Sequence, residues 1–128
     1  MRVLHAEAGR AALQAALHEL AVTGSETGGR TWAVVGSVQG AGREELMDLG
    51  RLVVRLGIGH LVVVGQAAGP LHAGAVLEGS WGQESRHVQD PEAAVTLLRA
   101  HLSDDDVVLV SGVPEVLTAF GGVRGGTA

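Results

Sequence analysis

At 128 residues the chain is sized for one domain with a real core, and its net charge of −5 with no basic block argues against binding nucleic acid or an anionic membrane. It has no cysteine, which removes disulfides, thiolate metal sites and thiol nucleophiles together; it also lacks lysine, asparagine and tyrosine, which removes a P-loop lysine, a Schiff-base lysine and a tyrosine clamp. No apolar stretch approaches ~18–20 residues and the start carries no signal-peptide pattern, so the expectation is a soluble, cytoplasmic protein.

Met1–Ala6 reads as a frayed start. Glu7–Val22 places Leu13, Ala16, Leu17 and Leu20 at helical spacing and predicts the first helix, with Thr23–Gly29 as a loop. Arg30–Gly42 is the stretch around which the rest is organised. Thr31–Val35 is a short apolar run that Gly36, Gly40 and Gly42 break into a turn, and Arg43–Leu56 then repeats Leu46, Leu49, Val53 and Leu56 along one helical face. Gly57 and Gly59 end that helix. Strand, glycine turn and helix open a βαβ unit, and the same order returns at Leu61–Val64 with Gly65 and at Val107–Val110 with Ser111-Gly112.

Between those repeats the signals are weaker. Gln66–Leu77 has Pro70 in a first turn and a thin stripe of Leu71, Ala75 and Val76. Gly79–Gly82 reads as a turn, with Trp81 either a core plug or an exposed contact, and Ser85–Val88 as a short strand. Asp90-Pro91-Glu92 is a clear helix start, an N-cap acid followed by proline at the first position. That helix runs to about Leu102. Ser103–Asp106 reads as a solvated acidic turn, Pro114–Phe120 as a last short helix, and Gly121–Ala128 as frayed. Strands apolar on both faces suit a parallel sheet covered by helices on both sides, so the expected fold is a single three-layer α/β domain over residues 1–128.

Ligands of such sheets lie beyond the carboxyl ends of the strands, which makes Ser37, Gln39, Gln66 and Ser111 the candidate ligand-binding residues. Arg43 is the basic residue nearest the first turn and is placed to meet a carboxylate. The Gly36–Gly42 turn offers backbone N–H groups to a phosphate, yet its spacing fits neither the Walker pattern nor the dinucleotide fingerprint. Ser37 and Ser111 lack a local histidine or elbow motif and read as turn serines. His5, His18, His60, His72, His87 and His101 are scattered singly, with none paired at metal-ligand spacing, so no metal site and no catalytic residue is expected.

The segments RTWAVVG, GRLVVRLGIGHLVVVG, HAGAVLEGSWGQES and PEAAVTLLRAHLSDDDVVLVSG, in that order, closely resemble a Mur ligase C-terminal domain. Within that family the resemblance is strongest to actinobacterial UDP-N-acetylmuramoyl-tripeptide:D-alanyl-D-alanine ligases. It implies a Rossmann-like domain with a mostly parallel sheet of about six strands. It also implies a central domain holding the P-loop and Mg²⁺ sites, over which this domain closes to help bind ATP and the incoming D-alanyl-D-alanine.

The sequence departs from the family where polar contacts are expected. Met1–Ala6 stands where the family has its Tyr-Asn stretch, and Gly36-Ser37-Val38 where it has Gly-Asp/Glu-Met. Leu46 stands at a helix histidine, and Val110-Ser111-Gly112-Val113-Pro114 replaces an ending with lysine and arginine. Three expectations follow. The first is a degenerate, free-standing homologue beginning at its own Met1, non-catalytic and holding no cofactor alone, that binds a D-alanyl-D-alanine-like small molecule or a protein partner. The alternative is the substrate-binding domain of an ATP-dependent ligase of peptidoglycan precursor synthesis, active only with the ATP-binding central domain and its ATP and Mg²⁺. Self-association in a structural role is a third.

Overall fold

The two strands buried along their whole length lie side by side within the sheet. The computed structural model describes residues 1–79 and 84–122; Trp81 and most of its expected turn fall outside them. Strands β1 (Arg2–Ala6), β2 (Thr31–Val35), β3 (His60–Val64), β4 (Ser85–Val88) and β5 (Val107–Ser111) form one sheet in the order β1-β5-β2-β3-β4. Every pairing is parallel, with Ala33 opposite Leu109 and Leu61. β2 and β5 are buried at all five positions, as strands covered on both faces must be.

Helices α1 (Arg10–Thr27), α2 (Arg43–Arg55) and α3 (Gly69–Glu78) follow β1, β2 and β3, and α4 (Pro91–His101) and α5 (Pro114–Leu117) follow β4 and β5. The alternation of each strand divides the core in two. Ala33, Val35, Leu61, Val63 and Leu109 pack with Leu13, Leu17, Leu49, Val53 and Leu71, so α1, α2 and α3 share one face. Trp32, Val34, Val62, Val108 and Val110 pack with Ala94, Leu98 and Val116, so α4 and α5 cover the other. The three-layer α/β expectation holds, with five strands among the described residues. Each fully buried Leu or Val in these layers contributes about 1.5–3 kcal/mol.

Several local expectations need correction. Met1–Ala6 is not frayed: it forms the edge strand β1, in register with β5 from Arg2 opposite Val107 to Ala6 opposite Ser111. Its half-buried Val3 and Leu4 each meet a different core layer. Thr23–Gly29 is mostly helix rather than loop. Gly24 sits so close to Thr31 Cγ2 that a Cβ there would lie 2.2 Å from it, and this packing overrides the poor helix propensity of TGSET. α1 stops at Gly28, whose N–H bonds the Gly24 carbonyl. On α3 the buried stripe is Leu71, Gly74 and Ala75, while Val76 and Leu77 face solvent. The reason is a close crossing with α2. A Cβ on Gly50 would lie 2.0 Å from the Leu71 carbonyl oxygen, and one on Gly74 2.1 Å from that of Met47.

Asp106 overturns the solvated-turn reading. Asp104 and Asp105 are exposed, but Asp106 is buried at the amino end of β5. Its carboxylate accepts from Arg30 Nε at 3.2 Å and Nη2 at 2.9 Å, from the Trp32 indole N–H at 3.0 Å, and from the Ser103 amide at 3.0 Å. Burial pushes this carboxyl up, but the hydrogen bonds from Arg30, Ser103 and Trp32 outweigh it and hold it below the ordinary range. The Asp90 cap behaves as its sequence predicts, accepting from the Ala93 amide at 2.8 Å.

Candidate functional site at the carboxyl ends of the strands

α2 leaves β2 toward one face of the sheet and α5 leaves β5 toward the other, so their loops part between these adjacent strands. In an open α/β sheet that divergence leaves a crevice where ligands bind. Here backbone closes it. Gly36 N–H donates to the Ser111 carbonyl at 2.9 Å, Ser37 N–H to that of Gly112 at 3.2 Å, and Gln39 N–H to that of Ala8 at 3.0 Å. Gly112 adopts φ +73, and a Cβ there would lie 2.2 Å from the Ser37 carbonyl oxygen, so only glycine fits this contact without displacement. The loop after β2 therefore lies over the end of β5 and touches the loop after β1.

What remains open is a ring of shallow depressions beside that seal. Ser37, exposed, lines two of them. One of about 230 Å³ includes Gln39, Ala41 and Ala67, and one of about 320 Å³ includes Gly65, Gln89, Pro114 and Glu115. Gln66 opens on a third, of about 530 Å³, with His87, Val88 and Gln89. Ser37 and Gln39 are thus brought together, and Gln66 lies one strand away. Arg43 is exposed at the start of α2 and lines none of the three. Ser111 is fully buried, and its hydroxyl donates to the Glu7 carbonyl at 3.1 Å, so it ties β5 to the loop after β1. Gln89 and Glu115 carry no sequence signal of a site, because each reads as part of a helix start: Gln89 precedes the Asp90 cap and Glu115 follows Pro114.

The open rim thus presents amide, hydroxyl and backbone groups, with Glu115 as the charged side chain on the groove beside Gly112. This donor set does not suit a triphosphate–Mg²⁺ complex by itself, since it puts a carboxylate rather than a cation beside the loops. Glu45 is occupied in capping α2, accepting from the Gly42 amide at 2.6 Å. Among the described residues no group of three or more His, Asp or Glu side chains is arranged to hold a metal ion. One histidine reading changes, however. His72 and His87 come together across α3 and β4, with ring centroids 5.8 Å apart. Burial, and then the neighbouring His87, lower the pKa of His72.

The family described as Mur ligase, glutamate ligase domain matches residues 7–113. The chain belongs to that family. It is 42% identical over 108 residues to the UDP-N-acetylmuramoyl-tripeptide–D-alanyl-D-alanine ligase of Mycobacterium leprae, which covers 74% of this chain and 21% of that protein. It is 41% identical over 97 residues to the ligase of the same name from Mycobacterium tuberculosis, covering 63% and 19%. The chain therefore spans about a fifth of the length of these relatives. The crystal structure of MurF from Acinetobacter baumannii superposes with a TM-score of 0.66 at 23% identity, over 92% of this chain and 27% of that one. That superposition supports the Rossmann-like parallel fold. No helix among the described residues of this Mur ligase family member is long and apolar enough to cross a membrane.

Proposed function

We propose that this chain acts as the C-terminal domain of an ATP-dependent ligase that joins D-alanyl-D-alanine to a UDP-N-acetylmuramoyl-tripeptide, in the cytoplasm. The observation that carries the reading is the 42% identity over 108 residues to a ligase of that name. The domain does no chemistry alone. Its open rim of Ser37, Gln39 and Gln66 hydrogen-bonds the incoming dipeptide, and Arg43 is the cation available to a carboxylate. ATP and Mg²⁺ are held by the central domain, against which the carboxyl ends of the strands close.

The test is a chimaera in which this chain replaces the matching domain of the Mycobacterium leprae ligase. Phosphate release that depends on D-alanyl-D-alanine is the expected result. A folded chimaera that binds ATP yet releases no phosphate favours a second reading, a non-catalytic homologue that keeps a small ligand or a protein partner. That reading has its own support: the buried Ser111 hydroxyl is taken up by the Glu7 carbonyl, and the chain has no lysine to offer a nucleotide.

A further inference from the structure

A pair of histidines lies between α3 and the edge strand β4, across β3 from the closed crevice between β2 and β5. Ser85 and His87 are two residues apart on edge strand β4 and so point to the same face, the one α3 covers. His72 stands on α3 opposite them. His87 Nε2 lies 2.7 Å from the Gly65 carbonyl oxygen, which accepts only, so that nitrogen carries the proton and Nδ1 is left with its lone pair. His72 Nδ1 lies 2.6 Å from the Ser85 hydroxyl. With the hydroxyl as acceptor, Nδ1 carries the proton and Nε2 is free to coordinate.

This is how metal-binding imidazoles are usually anchored: one ring nitrogen donates to a fixed acceptor, and the other faces the ion. The ring spacing agrees. Two imidazoles sharing a metal at about 2.0–2.1 Å from each nitrogen have centroids about 5–6 Å apart, and here they are 5.8 Å apart with planes tilted by 38°. On the His87 side a depression of about 530 Å³, with Gln66, Val88 and Gln89, gives water access to the pair. With no cysteine in the chain and two neutral nitrogens, the set suits a borderline first-row divalent cation rather than Mg²⁺ or Ca²⁺.

We propose that His72 and His87 form a two-histidine site for a divalent transition cation such as Zn²⁺, with Ser85 and the Gly65 carbonyl orienting the rings. Bound there, the ion clamps α3 to the edge strand β4 and selects the folded state.

A zinc titration of the ¹⁵N-labelled chain, read on the histidine ring nitrogens, tests this. The expected result is one saturable event in which His72 and His87 shift together while His5 and His18 stay put. His72→Gln and His87→Gln should each weaken zinc binding at least about tenfold, and Ser85→Ala by about tenfold. The rise in Tm with zinc should disappear in both histidine variants. Absence of a saturable shift at His72 and His87 up to about millimolar zinc overturns the proposal. So does a His18→Gln variant that loses as much affinity as the other two. The wild-type ring shifts decide the matter even where a variant folds poorly.

Discussion

At the amino ends of β2 and β5, Asp106 collects hydrogen bonds from Arg30, Trp32 and Ser103, and the Trp32 indole stacks on His60 at 4.0 Å. At the carboxyl ends of the same two strands, backbone closes on backbone through Gly36, Ser37 and Gly112, and the polar side chains of Ser37, Gln39 and Gln66 stand outside. The amino end holds the strands by charge and aromatic packing, each group fixed by its partners. The carboxyl end holds them by main-chain contact, which constrains where glycine must be and leaves the neighbouring side chains free to differ. The polar groups on this rim can therefore change while the fold is kept. The departure that the sequence resemblance implies at Gly36-Ser37-Val38 has that character. Ser111 is the counter-example, because its side chain is built into the closure.

Breaking the amino end should have the largest effect. Asp106→Ala removes the acceptor for a buried indole N–H and a backbone amide and takes from Arg30 its ion-pair partner, leaving it the His101 carbonyl and the Ser103 hydroxyl, so it should destabilise the fold by about 3 kcal/mol in urea unfolding at neutral pH. The loss stays toward the low end for a broken ion pair because the Arg30 side chain is 48% exposed and regains water. Asp106→Asn keeps an acceptor and should recover part of it. A loss under about 0.5 kcal/mol in Asp106→Ala would mean that hydrophobic layers alone set the register of β5.

The carboxyl end breaks next. Gly112→Ala puts a side chain at φ +73 and drives its Cβ into the Ser37 carbonyl, so about 2 kcal/mol should be lost. The amide signals of Gly36–Gln39 should move while those of Arg30 and Asp106 do not. Coupled shifts at both ends would mean that the sheet passes strain along its strands and that the two ends are not independent.

Much of this was legible in the sequence, and what was not has a common cause. β2, β3, β4 and β5, the Asp90 cap and the apolar face of α2 all announce themselves through local residue order. β1 does not, because its partner in the ladder is about a hundred residues away and its five residues show no periodicity. The C-terminal turns of α1 stay helical only because Gly24 meets Thr31. Asp106 reads as one of three equivalent acids, and what makes it different is chiefly Arg30 and Trp32, 76 and 74 residues distant. The site follows the same rule. Chain order puts Ser37, Gln39 and Gln66 beyond the strand ends, but it says nothing of which way Ser111 turns or that His72 and His87 meet.

The smallest predicted effect sharpens the view of the amino end as a charged lock. Burial lowers the His60 pKa first and the Arg30 charge lowers it further; Asp106 pulls it back up in part, and the smaller effects of Arg86, downward, and Glu84, upward, oppose each other. The folded state thus binds fewer protons than the unfolded one between the depressed pKa and about 6.5. Stability from this group is present above about pH 6.5 and is lost as the pH falls from there toward the folded value. His60→Phe keeps a ring to stack on Trp32 and removes the proton. Urea unfolding measured from pH 5 to pH 8 should therefore show a shallower slope in the variant below about pH 6.5. Any slope left there is expected from His72, whose pKa is also lowered, and His72→Gln in the same background should flatten it. If His60→Phe leaves the slope unchanged, neither burial against Trp32 nor the Arg30 charge shifts the imidazole, and His60 is no part of the charged lock.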